Sequence, residues 1–128
     1  MLLGMKLETK DIEEIQASNI VQQTSFWARV KDRQGIRPHA FRYKVPGPMI
    51  DPRQADSVKI LDDLLVLVRY LDHSRCYAYV PYGPKDEPVF ENYGPFLEEL
   101  SELLRSFLPN NCILIRYDLP WENQWAAD

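Results

Sequence analysis

The chain has 128 residues, 45% of them hydrophobic and 27% charged, which is material for one packed core and too little length for two. A net charge of −4 argues against a protein that binds nucleic acid over its whole surface, and the composition excludes an intrinsically disordered chain. The longest apolar run, Leu64 to Val68, is far too short to span a bilayer, and no signal peptide is evident, so a soluble, cytoplasmic protein is expected.

In chain order, MLLGMKLE has the pattern of a first strand, with Met5 as an alternative translation start. DIEEIQAS is at most a short helix. After a polar turn from Asn19 to Gln23, Thr24 caps a helix SFWARVKDRQ whose apolar face is Phe26, Trp27 and Val30, and Gly35 stops it. In FRYKV, Phe41, Tyr43 and Val45 alternate with Arg42 and Lys44, the period of a half-buried strand. The connection PGPMIDPRQAD carries three prolines and few apolar anchors, and is expected to be mobile. ILDDLLVLVRYLD reads as a central strand buried on both faces, although periodicity alone also admits a helix. DHSR then turns it into an antiparallel partner, RCYAYVPY.

From Arg75 onward the order strand, Pro/Gly-rich turn, amphipathic helix PFLEELSELLRSFLP and strand CILIRYDLPW predicts a β-α-β unit with parallel, buried strands. Pro95 suits the first helical position, and Phe96, Leu97, Leu100, Leu103, Leu104 and Phe107 recur at spacings of three and four. Pro81 and Pro84 have no N–H to give a neighbouring strand, so the ladder is expected to open near Tyr82, unless the prolines simply end the strand. Chemistry in open α/β sheets sits beyond the carboxyl ends of such strands, here Val80 to Pro84 and Tyr117 to Trp121. The whole reads as a mixed, twisted α/β (α+β) sheet flanked by helices in the order β-α-α-β-β-β-α-β.

Charge is unevenly spread. Between Arg29 and Lys44, six cations (Arg29, Lys31, Arg33, Arg37, Arg42, Lys44) face one acid, Asp32, giving that segment +5 and the remainder −9. Such a segment is either a surface for phosphate-bearing partners or a solvated helix face followed by a solvated strand face. Cys76 and Cys112 lie in predicted strands without metal-ligand spacing and read as small core residues; His39 and His73 are far apart, and no metal site is predicted.

The segments NIVQQTSFWARVKDRQG, FRYKV, YAYVPYGP, FLEELSELLRSFLP and NCILIRYDLPW, in that order from about Asn19 to Trp121, resemble the first domain of the Fem family of peptidoglycan aminoacyltransferases. That resemblance implies the acetyltransferase (GNAT) fold. It implies transfer of an amino acid from aminoacyl-tRNA to an amine of a nucleotide- or lipid-linked peptidoglycan precursor, with no cofactor and no metal. The Gly-rich pyrophosphate loop of coenzyme-A users is absent, its place taken by YGPKDEPVFENYGP, which ends at a helix N-terminus able to offer backbone donors to an anion.

By match to the family pattern, Asp118 in RYDLPW is the candidate catalytic residue and Lys31 in FWARVK the first candidate for a contact to the precursor's phosphates or carboxylates. Arg29, Arg116 and Tyr82 complete the substrate-binding set. The bland alternatives are an exposed helix lysine at 31 and an Asp118 that bonds loop amides or pairs with Arg116, while Trp27, Tyr77 and Tyr79 are expected in packing roles. Fem proteins carry a second GNAT-like domain, so residues 1–128 are expected to be the first half of a longer protein or one part of a split one, with Trp121 and Trp125 exposed toward the missing domain. A non-catalytic interaction module and a small-molecule N-acyltransferase of the same fold remain as alternatives.

Overall fold

The computed structural model describes residues 4–121. Five strands form one mixed sheet in the order β1-β2-β3-β4-β5: β1 (Lys6–Lys10), β2 (Arg37–Pro46), β3 (Lys59–Asp72), β4 (Arg75–Pro81) and β5 (Cys112–Asp118). β1 to β4 run antiparallel to their neighbours, and β5 lies parallel to β4 after a crossover through a helix. The mixed α+β sheet and the parallel closing unit therefore match the reading from sequence. DIEEIQAS forms only a 3-10 turn at Ile12–Glu14, so the first expected helix is absent.

Helix α1 (Ser25–Arg33) begins where Thr24 Oγ1 accepts from the Trp27 N–H at 3.2 Å. It ends at Gly35, whose φ of +82° admits the left-handed conformation that closes the last turn, with the Ile36 N–H bonding back to the Lys31 carbonyl at 3.0 Å. Ala28 is the residue it buries, and Phe26, expected inside, is exposed. Helix α3 (Tyr93–Arg105) starts two residues before Pro95, continuing a 3-10 turn at Phe90–Asn92, and buries Phe96, Leu100 and Leu104.

Alternate side chains of β3 serve two cores. Leu64, Val66 and Val68 pack with Phe41, Tyr43, Val45, Ala78 and Val80 under α3. Leu65 and Leu67 face the other way, toward Ala28 and Ala40, with Trp27, Ile36 and Tyr79 around them. A strand buried on both faces explains the unbroken apolar run, and each such side chain contributes about 1.5–3 kcal/mol through burial.

Three expectations are corrected. The 46–56 connection is anchored: it holds a short helix α2 (Gly47–Ile50) with Met49 buried, and the Gly47 N–H bonds Val58 O at 2.7 Å. β5 is an edge strand rather than a buried one, because among the described residues only β4 pairs with it, and Ile113 and Leu114 are about half exposed. Trp121 is not a bare patch: its Nε1 donates to the Pro84 carbonyl at 2.7 Å and its ring packs on Tyr93 and Phe96. Trp125 lies outside the described residues. No helix among the described residues is long and apolar enough to cross a membrane.

Candidate functional site

The sheet opens where the prolines require it, but on one side only. β4 stays paired with β5 as far as Pro81↔Asp118, whereas the β3–β4 ladder ends at Leu67↔Tyr79. Continued for two residues, it would bring Pro81, which has no N–H, opposite Leu65. The amide of Gln23 fills the gap. Its Nε2 donates to Pro81 O at 2.7 Å and to Leu65 O at 3.2 Å, and its Oε1 accepts from the Leu65 N–H at 2.7 Å. The side chain is buried and acts as a short piece of third strand. Gly83 passes so close that a Cβ there would lie 2.8 Å from Gln23 Nε2. Between them, Tyr82 has φ +49°, a left-handed backbone costing a non-glycine residue about 1 kcal/mol or more.

On the face carrying α1, a groove of about 400 Å³ runs over this opening. Lys31 and Trp27 come from α1, Arg69 from β3, Tyr77 and Tyr79 from β4, and Arg116 from β5, with Tyr82 at the mouth. The Lys31 Nζ lies 4.9 Å from the centre of the Trp27 ring, and the Arg116 guanidinium carbon 5.7 Å from that of Tyr79. Arg69 sits beside Tyr77, its register partner. Among the described residues none of these three cations has a carboxylate partner in an ion pair, so the groove presents unneutralised positive charge over aromatic walls.

Three of the residues selected from sequence, Lys31, Arg116 and Tyr82, therefore line one groove. Asp118 stands at its edge: it accepts a 3.1 Å hydrogen bond from the Tyr79 hydroxyl. Burial first, then the bond to Asp118 and its charge, raise the Tyr79 pKa, with Arg116 opposing. Arg116 lies over Tyr79 and forms no ion pair with Asp118. Arg29 is not part of this arrangement; it projects elsewhere from α1 and pairs with Glu13 at 2.7 Å. Most of the basic segment disperses likewise, Arg42 lying near Glu8 and Asp63.

Sequence reasoning missed Arg69, and assigned Trp27, Tyr77 and Tyr79 to packing. The signal for Arg69 was faint, a cation closing an apolar run. Gln23 closes the polar stretch from Asn19 to Gln23, whose composition signals only a turn.

On the opposite face, the turn that precedes α3 is pinned to the sheet and to α2. The Tyr43 hydroxyl donates to Asp86 at 2.5 Å, Lys85 lies 3.5 Å from Asp62, and the Val89 N–H bonds Met49 O. Burial, followed by the hydrogen bond and charge of Asp86, pushes the Asp62 carboxyl up to about 6. Burial and the neighbouring Asp86 also hold the Tyr43 hydroxyl far above its ordinary value. Among the described residues no group of three or more His, Cys, Asp or Glu side chains is placed to hold a metal.

Compared with family models, curated proteins and solved structures, the chain matches none of them. The fold and groove define it as an α+β domain with a cationic, aromatic cleft at the carboxyl end of a parallel strand pair.

Proposed function

We propose that this chain is a GNAT-like domain of a Fem-like aminoacyltransferase, which moves an amino acid from aminoacyl-tRNA to the amine of a peptidoglycan precursor. The observation that carries the reading is the convergence of Lys31, Arg69 and Arg116, none of them ion-paired among the described residues, on one groove beside Asp118. The order of five strands closing on a β4–α3–β5 crossover, together with the resemblance of the segments from Asn19 to Trp121, supports the same reading.

Amine attack on an aminoacyl ester needs the amine deprotonated, the carbonyl oxygen stabilised as it gains charge, and the two substrates held in line. In this reading the groove's cations take the precursor's phosphates or carboxylates, with Lys31 as a point charge and Arg116 as a planar fork. Asp118, steadied through one oxygen by Tyr79, accepts the amine's proton. The ester is already activated, so positioning supplies much of the barrier reduction. A second GNAT-like domain, in the same chain or as a separate partner, closes the groove, and a tRNA donor places the reaction in the cytoplasm.

The test is calorimetric titration with the nucleotide-linked precursor, followed by label transfer from charged tRNA with the second domain supplied. Lys31→Ala and Arg116→Ala should each weaken binding about tenfold, the loss of one charge-assisted contact. Asp118→Asn should leave binding within about twofold and abolish transfer. Binding that is absent in the wild type, or indifferent to both cations, sinks the proposal. Binding without turnover in the complete system would favour an interaction module, and a rise in melting temperature with acetyl-coenzyme A would favour a small-molecule N-acyltransferase.

A further inference from the structure

The chain contains two cysteines, Cys76 and Cys112, 36 residues apart in sequence, and the fold brings both to one place. Cys76 near the start of β4 and Cys112 at the start of β5 are direct register partners in the parallel pair. Neighbouring strands lie about 4.8 Å apart, inside the range of Cα separations, about 4.4–6.8 Å, that a disulfide bridges. Register partners on parallel strands point to the same face, and both residues belong to the core beneath α3, Cys76 fully buried and Cys112 at its margin. The ladder shifts register immediately after this pair, between Cys76 and Ala78, so the strand ends there are not held in a continuous regular ladder.

We propose that Cys76 and Cys112 are a redox-active dithiol that closes to an intramolecular disulfide, stapling β4 to β5 near their amino ends on the face opposite the groove. The two thiols differ in the way such a reaction needs. Cys112 is half-buried and reachable from solvent; its Sγ lies 3.4 Å from the Leu114 carbonyl. Cys76 is enclosed, with its Sγ 3.5 Å from Asn111 Oδ1 and with Tyr70, its partner on β3, on its other side. Burial first, then the charge and hydrogen bond of Cys112, raise the Cys76 pKa, while Tyr70 opposes. Cys112 is therefore the residue that reacts first and Cys76 the one that resolves.

With a small-molecule disulfide as oxidant, the Cys112 thiolate attacks one of its sulfurs. The mixed disulfide forms, and the first small thiol leaves carrying the proton that Cys112 gave up. Cys76 then attacks the Cys112 sulfur, forming the internal disulfide and releasing the second small thiol with the Cys76 proton. The protein is oxidised by two electrons and the small disulfide reduced by two. The inference does not depend on the aminoacyltransferase reading, since it concerns the strands and not the groove's ligand.

The experiment treats the native chain with oxidised glutathione, blocks remaining thiols by alkylation and measures intact mass and melting temperature. The expected product is a monomer lighter by two hydrogens, taking up no alkylating agent. Its melting midpoint should rise by roughly 5–10 °C, through constraint of the unfolded chain, and return on reduction. Cys76→Ser should stop at a glutathione adduct on Cys112, and Cys112→Ser should leave the Cys76 thiol unreacted in the folded protein. Wild-type protein that accumulates the adduct, forms intermolecular dimers, or keeps both thiols free when the oxidant modifies the same chain in denaturant overturns the proposal. The wild-type mass decides even if a serine variant fails to fold.

Discussion

Replacing Gln23 tests whether one side-chain amide holds the sheet open in its observed form. The residue is 8% exposed and makes three hydrogen bonds, to Leu65 N, Leu65 O and Pro81 O, which lie 42 and 58 residues away in sequence. Gln23→Leu keeps most of the volume and removes every bond. Each lost bond forfeits about 1 kcal/mol net, and a Leu65 N–H left buried without a partner costs about 1–3 kcal/mol more, although the exposed neighbourhood of Tyr82 lets water relieve part of it. The expected destabilisation is about 3–5 kcal/mol, measured as a fall in the urea midpoint at unchanged slope. Gln23→Glu is a sharper probe. It keeps the acceptor for Leu65 N but turns a carboxylate toward two carbonyl oxygens. Its folded pKa should rise above the unfolded value, so its stability deficit should be smallest at low pH and grow as pH rises through the folded pKa. If Gln23→Leu stays within about 0.5 kcal/mol of wild type, the amide does not bridge the strands as described.

Gly83→Ala introduces a methyl 2.8 Å from Gln23 Nε2, a side-chain end that three hydrogen bonds prevent from yielding. We expect a loss of about 1–3 kcal/mol, diminished in a Gln23→Ala background; additive losses in that double-mutant cycle would refute the contact. The Asp62 carboxyl, raised from 3.8 to about 6 by burial and then by Asp86, gives the folded state an extra bound proton in between. Its contribution is fully present below the unfolded pKa and is lost as pH rises through about 6, with Lys85 opposing the loss and Tyr43 donating to Asp86. Asp86→Asn offers Asp62 an N–H donor while still accepting from Tyr43, and should flatten the fall in stability between pH 4 and 6; an unchanged slope in chemical melts across that window would show that the two carboxyls are not coupled.

What was legible in the sequence is what short-range chemistry determines. Thr24 and Gly35 bracket α1 because a cap and a left-handed stop act within one turn of the helix. The run from Leu64 to Val68 disclosed a strand buried on both faces because each of its alternate faces needs apolar residues, and the spacing of Phe96, Leu100 and Leu104 disclosed the buried stripe of α3. The prolines at 81 and 84 announced that the ladder must open, since a missing N–H is a property of the residue itself. Which neighbour the opening separates was decided only by tertiary structure. Gln23 looks like any polar turn residue until β3 and β4 are placed on either side of it. Arg69 enters the groove, and Arg29 does not, because one faces α1 across the sheet while the other meets Glu13. Trp121 folds onto α3 and Pro84 for the same reason. Periodicity states which face of an element is apolar; the contacts that make a groove arise between elements far apart in the chain, and no local pattern records them.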